Sequence, residues 1–283
     1  MGTRCGVLGD PVAHSLSPTL HRAGYAALGL DDWEYDAAQV PSGRLAPYLA
    51  GLGPEWRGLS LTMPLKREAV ALLDVASDDV RRSGAANTLV LQDARVHGHN
   101  TDVPGAAAAI RERYDAPLRS ALILGGGATA TSTGLALLDL GVRTVHVAVR
   151  DAARAAETAA ALRSHPAGPE VLIESLTGGQ WSEGPDLPAP DSTVDIVVST
   201  IPAGAQTAEL VARCAHVPVV FEVLYDPWPT PLAASAADRV LVSGLDLLVH
   251  QAALQFGLFT GRPAPLEAMR EAGEKALAER SGP

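Results

Sequence analysis

Four short blocks in the N-terminal part of the chain carry groups able to do chemistry. They are His14-Ser15-Leu16-Ser17-Pro18, Leu61-Thr62-Met63-Pro64-Leu65-Lys66, Gly84-Ala85-Ala86-Asn87-Thr88 and Asn100-Thr101-Asp102. Together they offer hydroxyls, amides, an amine and a carboxylate, a lining suited to a small polyhydroxylated acid whose own hydroxyls need paired donors and acceptors. Each residue also has an ordinary structural use. Ser17 can cap a helix, Asn87 can satisfy a turn, Asp102 can cap the helix beyond Pro104, and Lys66-Arg67-Glu68 can be a charged helix face. Lys66 is the more informative residue. An amine in a first helical turn lies on the wrong end of the macrodipole, which disfavours its charge and suits it to exchange a proton near neutrality. A nearby carboxylate such as Asp102 would favour the charge again, so the two are expected to titrate as a pair.

A second constellation lies further on. Gly125-Gly126-Gly127-Ala128-Thr129-Ala130 follows the apolar run Ala121-Leu122-Ile123-Leu124 and precedes a helical pattern. This is the dinucleotide-binding spacing G-x-G-x-x-A. The first glycine permits the turn, the second lets backbone approach a pyrophosphate, and the small third residue lets helix pack on strand. The helix N-terminus beyond it offers N–H groups to phosphate. About 24 residues after Gly125, where an acid would hold an adenine ribose, the chain reads Val149-Arg150-Asp151, with Arg154 one turn later. Guanidinium groups bind a 2′-phosphate through paired hydrogen bonds, so Arg150 and Arg154 favour NADP over NAD. Asp151, unwelcome beside a phosphate, is expected to cap the helix that starts there.

The elements that must position these groups alternate. Strands are expected over residues 4–8, 33–38 and 59–63, helices over 18–28 (with Ser17 as its cap), 43–52 and 64–73, and a hairpin from 87–92 and 95–98. An alanine-rich helix ending near Tyr114 leads to strand 121–124, helix 132–140, strand 144–149 and helix 151–162. Strands over 194–200, 217–224 and 239–242 continue the parallel-sheet pattern. Residues 168–191, rich in Gly, Pro and Ser, are read as irregular surface chain. The expected fold is α/β: a substrate domain over 1–103 and 245–283, and a doubly wound Rossmann-type cofactor domain over 104–244.

Composition narrows the partners. The 283 residues are 47% hydrophobic and 19% charged with a formal charge of −10, which suits a packed core and disfavours nucleic acid or an anionic membrane surface. Cys5 and Cys214 stand far apart, as in a reduced, cytoplasmic chain. Neither a signal peptide nor a membrane span is legible. His97 and His99 share a strand face, but no further ligand has convincing spacing, so no metal is expected and both are read as exposed. The expected partner is a small-molecule substrate, in a monomer or homodimer.

Taken in order, these blocks resemble the signatures of the shikimate dehydrogenase family, and so do Tyr225-Asp226-Pro227 through Thr230-Pro231 and Gly244-Leu245 through Gln251-Ala252. The likeness runs almost the whole length. It implies NADPH-dependent reduction of 3-dehydroshikimate, with Lys66 as acid/base and Asp102 as its partner. It further implies that Ser15, Ser17, Thr62, Asn87, Tyr225 and Gln251 line the shikimate pocket. Val223 and Gly244 would lie near the nicotinamide, Thr200 and Ile201 near the cofactor's middle, and the helices from Leu245 onward would return to the substrate domain. The chain departs from the family where Asn-Arg-Thr becomes Val149-Arg150-Asp151, where Asn-Ala-Thr-Ser becomes Ser199-Thr200-Ile201-Pro202, where Gly-Leu-Gly becomes Gly244-Leu245-Asp246, and across residues 129–133. Quinate or aminoshikimate oxidation on the same scaffold, or a non-catalytic NADP-binding regulator, are the alternatives. The presence of both Lys66 and Asp102 argues against the last.

Overall fold

The computed structural model describes residues 2–176 and 194–281. The chain divides into two compact units, Met1–Gly105 with Leu248–Pro283, and Ala106–Leu247.

The first unit holds a six-stranded mixed sheet. Its elements run β1 (Thr3–Gly9), α1 (Ser17–Ala27), β2 (Trp33–Gln39), α2 (Leu45–Ala50), β3 (Trp56–Leu61), α3 (Leu65–Glu68), β4 (Val75–Ala76), α4 (Asp78–Ser83), β5 (Thr88–Gln92), β6 (Arg95–His99) and the start of α5 (Asp102–Arg113). The sheet order is β2-β1-β3-β5-β6-β4. β1 pairs in parallel with β2 and β3, while β5 runs antiparallel to both β3 and β6. On one face Leu8, Leu59, Leu61, Leu65 and Leu89 form a fully buried cluster with Val40, Leu45 and Val80.

The second unit continues with β7 (Ser120–Leu124), α6 (Ala128–Asp139), β8 (Thr144–Val149), α7 (Ala156–Arg163), β9 (Glu170–Ser175), β10 (Ile196–Ser199), α8 (Ala208–Arg213), β11 (Val219–Glu222), α9 (Pro231–Ala234) and β12 (Val240–Val242). Two helices close the chain, α10 (Gly244–Thr260) and α11 (Leu266–Ser281). The strands are all parallel, in the order β9-β8-β7-β10-β11-β12. That is the doubly wound Rossmann order, whose direction reverses between β7 and β10. β10 and β11 are buried at every position, the continuous apolar run required of parallel strands covered on both faces.

Several local expectations need correction. Ser17 does not cap α1. Leu16 occupies the cap without a side-chain bond, and the Ser15 hydroxyl instead accepts the Ser17 N–H at 3.3 Å. The helix expected over 64–73 is only four residues long before it tightens into a 3₁₀ turn at Ala69–Leu72. Such a stub sums too few peptide dipoles to act on Lys66 as a full helix would. α6 starts at Ala128, directly on the glycine loop, rather than at residue 132. β4 and α4 were not anticipated, and β9 crosses part of the stretch read as irregular; residues 177–191 of that stretch lie outside the described residues. His97 and His99 are half-buried rather than exposed, and burial together with His97 pushes the His99 imidazole below its ordinary value.

Candidate active site

In the first unit, four elements deliver polar groups to one place. α3 carries Lys66, the turn into β5 carries Asn87, α5 begins at Asp102, and α10 carries Gln251. The Lys66 ammonium donates to Asp102 Oδ2 at 2.6 Å, with side-chain exposures of 15% and 6%. The other carboxylate oxygen, Oδ1, accepts from Asn87 Nδ2 at 2.9 Å. Asn87 Nδ2 also faces Thr101 Oγ1 at 2.9 Å and Gln251 Oε1 at 3.3 Å. The Thr101 N–H donates to Asn87 Oδ1 at 2.8 Å. A backbone N–H can face only an acceptor, so that bond fixes which end of the Asn87 amide points to Asp102.

The local sequence explains why these residues meet. The Asn100 side chain accepts the Asp102 N–H at 3.0 Å and donates to Ser83 Oγ at 2.8 Å. Asn100 therefore bonds the first N–H of α5, and the Asp102 carboxylate is left for Lys66 and Asn87. α4 ends in Gly84 with a left-handed φ of 62°, which turns the chain sharply into the Asn87 segment. A Cβ on Gly105 would lie 2.9 Å from the Gln251 backbone, so this glycine lets α5 approach α10 closely enough for Gln251 to reach Asn87. Thr62 pairs its N–H with the Leu8 carbonyl at 2.9 Å. Ser15 is half-buried and Ser17 buried ahead of α1, with the 3.3 Å contact between them.

In the second unit, a cavity of about 760 Å³ opens at the point where the strand order reverses. Gly125, Gly126, Gly127, Val149, Arg150, Asp151, Arg154 and Ile201 are among the residues lining it. Gly125 has a φ of 113°, and a Cβ there would meet Thr200 Oγ1 at 2.2 Å. No other residue could make this turn against β10. A Cβ on Gly126 would lie 2.8 Å from the Arg154 carbonyl, so the middle glycine sets the Arg154 segment against the loop. At Gly127 a Cβ would meet nothing within 4 Å, which leaves open space over the start of α6. That helix has no side-chain cap, so its first N–H groups suit an anion.

The expected Asp151 cap is present, its carboxylate accepting the Ala153 N–H at 3.0 Å. Arg150 and Arg154 are exposed, and among the described residues neither guanidinium has an ion-pair partner. Ala128, Thr129 and Thr200 adjoin the loop without lining the cavity, and Val223 and Gly244 lie elsewhere in the unit. Those two are together: a Cβ on Gly244 would lie 2.4 Å from the Val223 carbonyl. Tyr225 follows on the same loop, half-buried. Beneath that loop Glu222 is fully buried, and burial raises its carboxyl above the ordinary range. Bonds from the Leu224 N–H, the Thr230 hydroxyl and the Gln206 amide work the other way.

Residues 7–89 match the model of the shikimate dehydrogenase substrate binding domain, and residues 244–272 that of the shikimate 5′-dehydrogenase C-terminal domain. A shikimate dehydrogenase (NADP(+)) from Moorella thermoacetica is 33% identical, over 98% of this chain and 94% of its own length. This chain belongs to the shikimate dehydrogenase family. The crystal structure of shikimate dehydrogenase from Mycobacterium tuberculosis is similar over 98% of this chain and 99% of its own, with 37% identity and a TM-score of 0.83. A Thermus thermophilus shikimate 5-dehydrogenase in complex with NADP(H) and shikimate matches 97% of this chain and 99% of its own, with 30% identity and a TM-score of 0.80.

Two features of this shikimate dehydrogenase scaffold went unread in the sequence. One is a pair of threonines behind the glycine loop. The Thr158 hydroxyl donates to the Gly126 carbonyl at 2.9 Å and meets Thr131 Oγ1 at 2.7 Å, and both threonines are fully buried. They hold the loop carbonyl inward, which gives a physical reason for threonine at 131, within the run that departs from the family pattern. The other is Gln255, which lies one turn beyond Gln251 on α10 and is 1% exposed. The available signal was its spacing from Gln251, since residues four apart share a helix face.

Proposed function

We propose that this protein catalyses the reversible NADPH-dependent reduction of 3-dehydroshikimate to shikimate, a step toward chorismate and the aromatic amino acids, with the first unit as substrate domain and the second as cofactor domain. The observation that carries the reading is the largely buried Lys66–Asp102 pair at 2.6 Å, braced by Asn87. It lies in the unit that matches the substrate binding domain. The glycine loop, the uncapped start of α6 and the exposed Arg150 and Arg154, which have no ion-pair partner among the described residues, suit a dinucleotide bearing a 2′-phosphate. When bound, that cofactor supplies the hydride.

The residues of the chain then have definable tasks. Ser15, Ser17, Thr62, Asn87, Tyr225 and Gln251 hold the hydroxyls and carboxylate of the substrate, whose recognition depends on such pairing. Gly125, Gly126, Gly127, Ala128 and Thr129 receive the pyrophosphate, Arg150 and Arg154 the 2′-phosphate, Thr200 and Ile201 the cofactor's middle, and Val223 and Gly244 the nicotinamide end. Reduction of a ketone leaves an alkoxide at C3 that needs a proton. The Lys66 ammonium gives it, and in the oxidative direction the neutral amine takes it back. Asp102 orients the reacting hydroxyl and holds Lys66 in place. Cys5 and Cys214 are free and buried, in keeping with a cytoplasmic enzyme.

The test is steady-state kinetics with shikimate and quinate, each with NADP and NAD. Shikimate with NADP is expected to be the preferred pair. Lys66→Ala should lower kcat by roughly 10²–10⁴-fold, with a much smaller change in KM for shikimate. A variant keeping more than about a tenth of normal turnover would remove Lys66 from the acid role.

A further inference from the structure

A continuous file of buried hydrogen bonds runs from the Lys66–Asp102 pair into the core of the first unit. The Tyr35 hydroxyl donates to Ser60 Oγ at 2.6 Å, and the Ser60 hydroxyl donates to Gln255 Oε1 at 2.7 Å. Gln255 Nε2 donates to Thr88 Oγ1 at 2.9 Å, and the Thr88 hydroxyl donates to Asn87 Oδ1 at 2.7 Å. Asn87 Nδ2 then donates to Asp102 Oδ1. Tyr35, Ser60, Gln255, Thr88 and Asn87 are all 3% exposed or less.

The direction of the file is fixed at its middle. Gln255 Nε2 also faces the Asn87 main-chain carbonyl at 3.2 Å. A carbonyl only accepts, so the Gln255 atom facing it must be nitrogen. Its oxygen therefore faces Ser60, and Thr88, already accepting from Gln255, has its single proton left for Asn87. Every donor along the file points toward the Asp102 carboxylate, and bonds aligned head to tail polarise one another in the same sense. Of the titratable groups along it, Tyr35 is held well above its ordinary value by burial, and His21, stacked on Tyr35 at 4.2 Å and facing the Gln255 side chain, is pushed down to about 3 by burial, which outweighs the opposing effect of Gln255. Neither reverses the file near neutrality.

We infer that Gln255 is a positioning residue for proton transfer: by fixing the Thr88 hydroxyl it strengthens and orients the Asn87 amide that holds the Asp102 carboxylate against Lys66. Gln255 touches neither Lys66 nor Asp102, and it acts only through Thr88 and Asn87. The inference rests on the proposed acid role of Lys66, and it adds a residue from the far end of the chain to that machinery.

Two substitutions test it. Gln255→Leu removes both halves of the relay at every pH. Gln255→Glu keeps it only while the new carboxyl is protonated, because an ionised carboxylate can no longer donate to Thr88 and would draw the Thr88 proton away from Asn87. Burial favours the neutral acid, so the relay in this variant should survive at lower pH and fail as pH rises. Gln255→Leu is expected to lower kcat by about tenfold, a usual order for misplacement from a distance, with KM for shikimate changed less than about threefold. The kcat of Gln255→Glu relative to the parent should start near unity around pH 6 and fall by about tenfold as the carboxyl ionises. A flat ratio across pH, or a Gln255→Leu variant with unchanged kcat, overturns the inference. A loss confined to KM overturns it too, since Gln255 would then shape the pocket. If Gln255→Leu does not fold, the pH ratio of Gln255→Glu decides alone. Lys66→Ala run in parallel separates the two readings. Full turnover there sinks the acid assignment itself, whereas lost turnover there with unaltered Gln255 variants sinks only the relay.

Discussion

Removing the two charges of the Lys66–Asp102 pair one at a time should separate stability from turnover. Asp102 is the more deeply placed partner, at 6% side-chain exposure against 15% for Lys66. In Lys66→Met the carboxylate stays buried with Asn87 as its remaining side-chain donor. Breaking a buried pair from one side costs about 3–5 kcal/mol, and the surviving Asn87 bond places this variant near 3 kcal/mol. In Asp102→Asn the orphan is the ammonium, which is nearer to water on a flexible stem, so a loss of about 1–2 kcal/mol is expected. The double variant leaves no uncompensated charge. Its loss should be smaller than that of Lys66→Met, with a coupling of about 2–3 kcal/mol between the two sites. Turnover should behave differently, with the double variant as inactive as Lys66→Met. Urea unfolding followed by tryptophan fluorescence, with Trp33 and Trp56 in the first unit, measures the stabilities, and steady-state assays measure kcat. Simple additivity of the two stability losses would show that the charges do not depend on each other. Recovered turnover in the double variant would show that Lys66 gives no proton.

Three further outcomes are expected. Arg150→Ala should raise KM for NADP by about ten- to a hundred-fold, the equivalent of one charge-assisted contact, and leave the NAD value nearly unchanged; equal use of both cofactors by the parent would count against the arginine assignment. Thr158→Val, which removes the hydroxyl holding the Gly126 carbonyl, should cost about 1–2 kcal/mol and weaken NADP binding measured by calorimetry while shikimate binding is unaltered. His21 is fully buried, and among the described residues neither ring nitrogen has a hydrogen bond of good geometry; burial, opposed only in part by the neighbouring Gln255 side chain, lowers its pKa to about 3. The unfolded chain therefore binds the extra proton, so stability present above the ordinary value near 6.5 is lost as pH falls toward the folded value. His21→Phe should flatten the urea midpoint against pH over that window, and an unchanged slope would refute the assignment.

What was legible in the sequence was mostly local. The glycine loop announces itself because turn, strand and helix are adjacent in the chain, and the blocks around Lys66, Asn87 and Asp102 are each only a few residues long. Their meeting could not be read from spacing, since Lys66 and Asp102 are 36 positions apart and converge through sheet pairing. The helix starts were misplaced for a similar reason. Ser17 had the right composition for a cap, but the backbone gave that position to Leu16. β9 was hidden because its six residues sit beside a Gly- and Pro-rich stretch that dominates the composition. Gln255 escaped because its spacing of four from Gln251 puts it on the same helix face without identifying its partners, and Ser60 lies 195 positions away.

That last separation bears on how the protein is born. A ribosome delivers the chain from its N-terminus, and compact units fold as they emerge. The glycine-loop unit is continuous, Ala106–Leu247, and all its strands are available before the last helices leave the exit tunnel. The unit begun earlier has to wait. Its buried Ser60, Thr88 and Asn87 find their amide partners only when Gln251 and Gln255 of α10 arrive. Contacts so distant in sequence must meet their loop-closure entropy before they return any stabilisation. Of the two units, the one begun earlier is thus completed later, and until α10 arrives Ser60, Thr88 and Asn87 lack those amide partners.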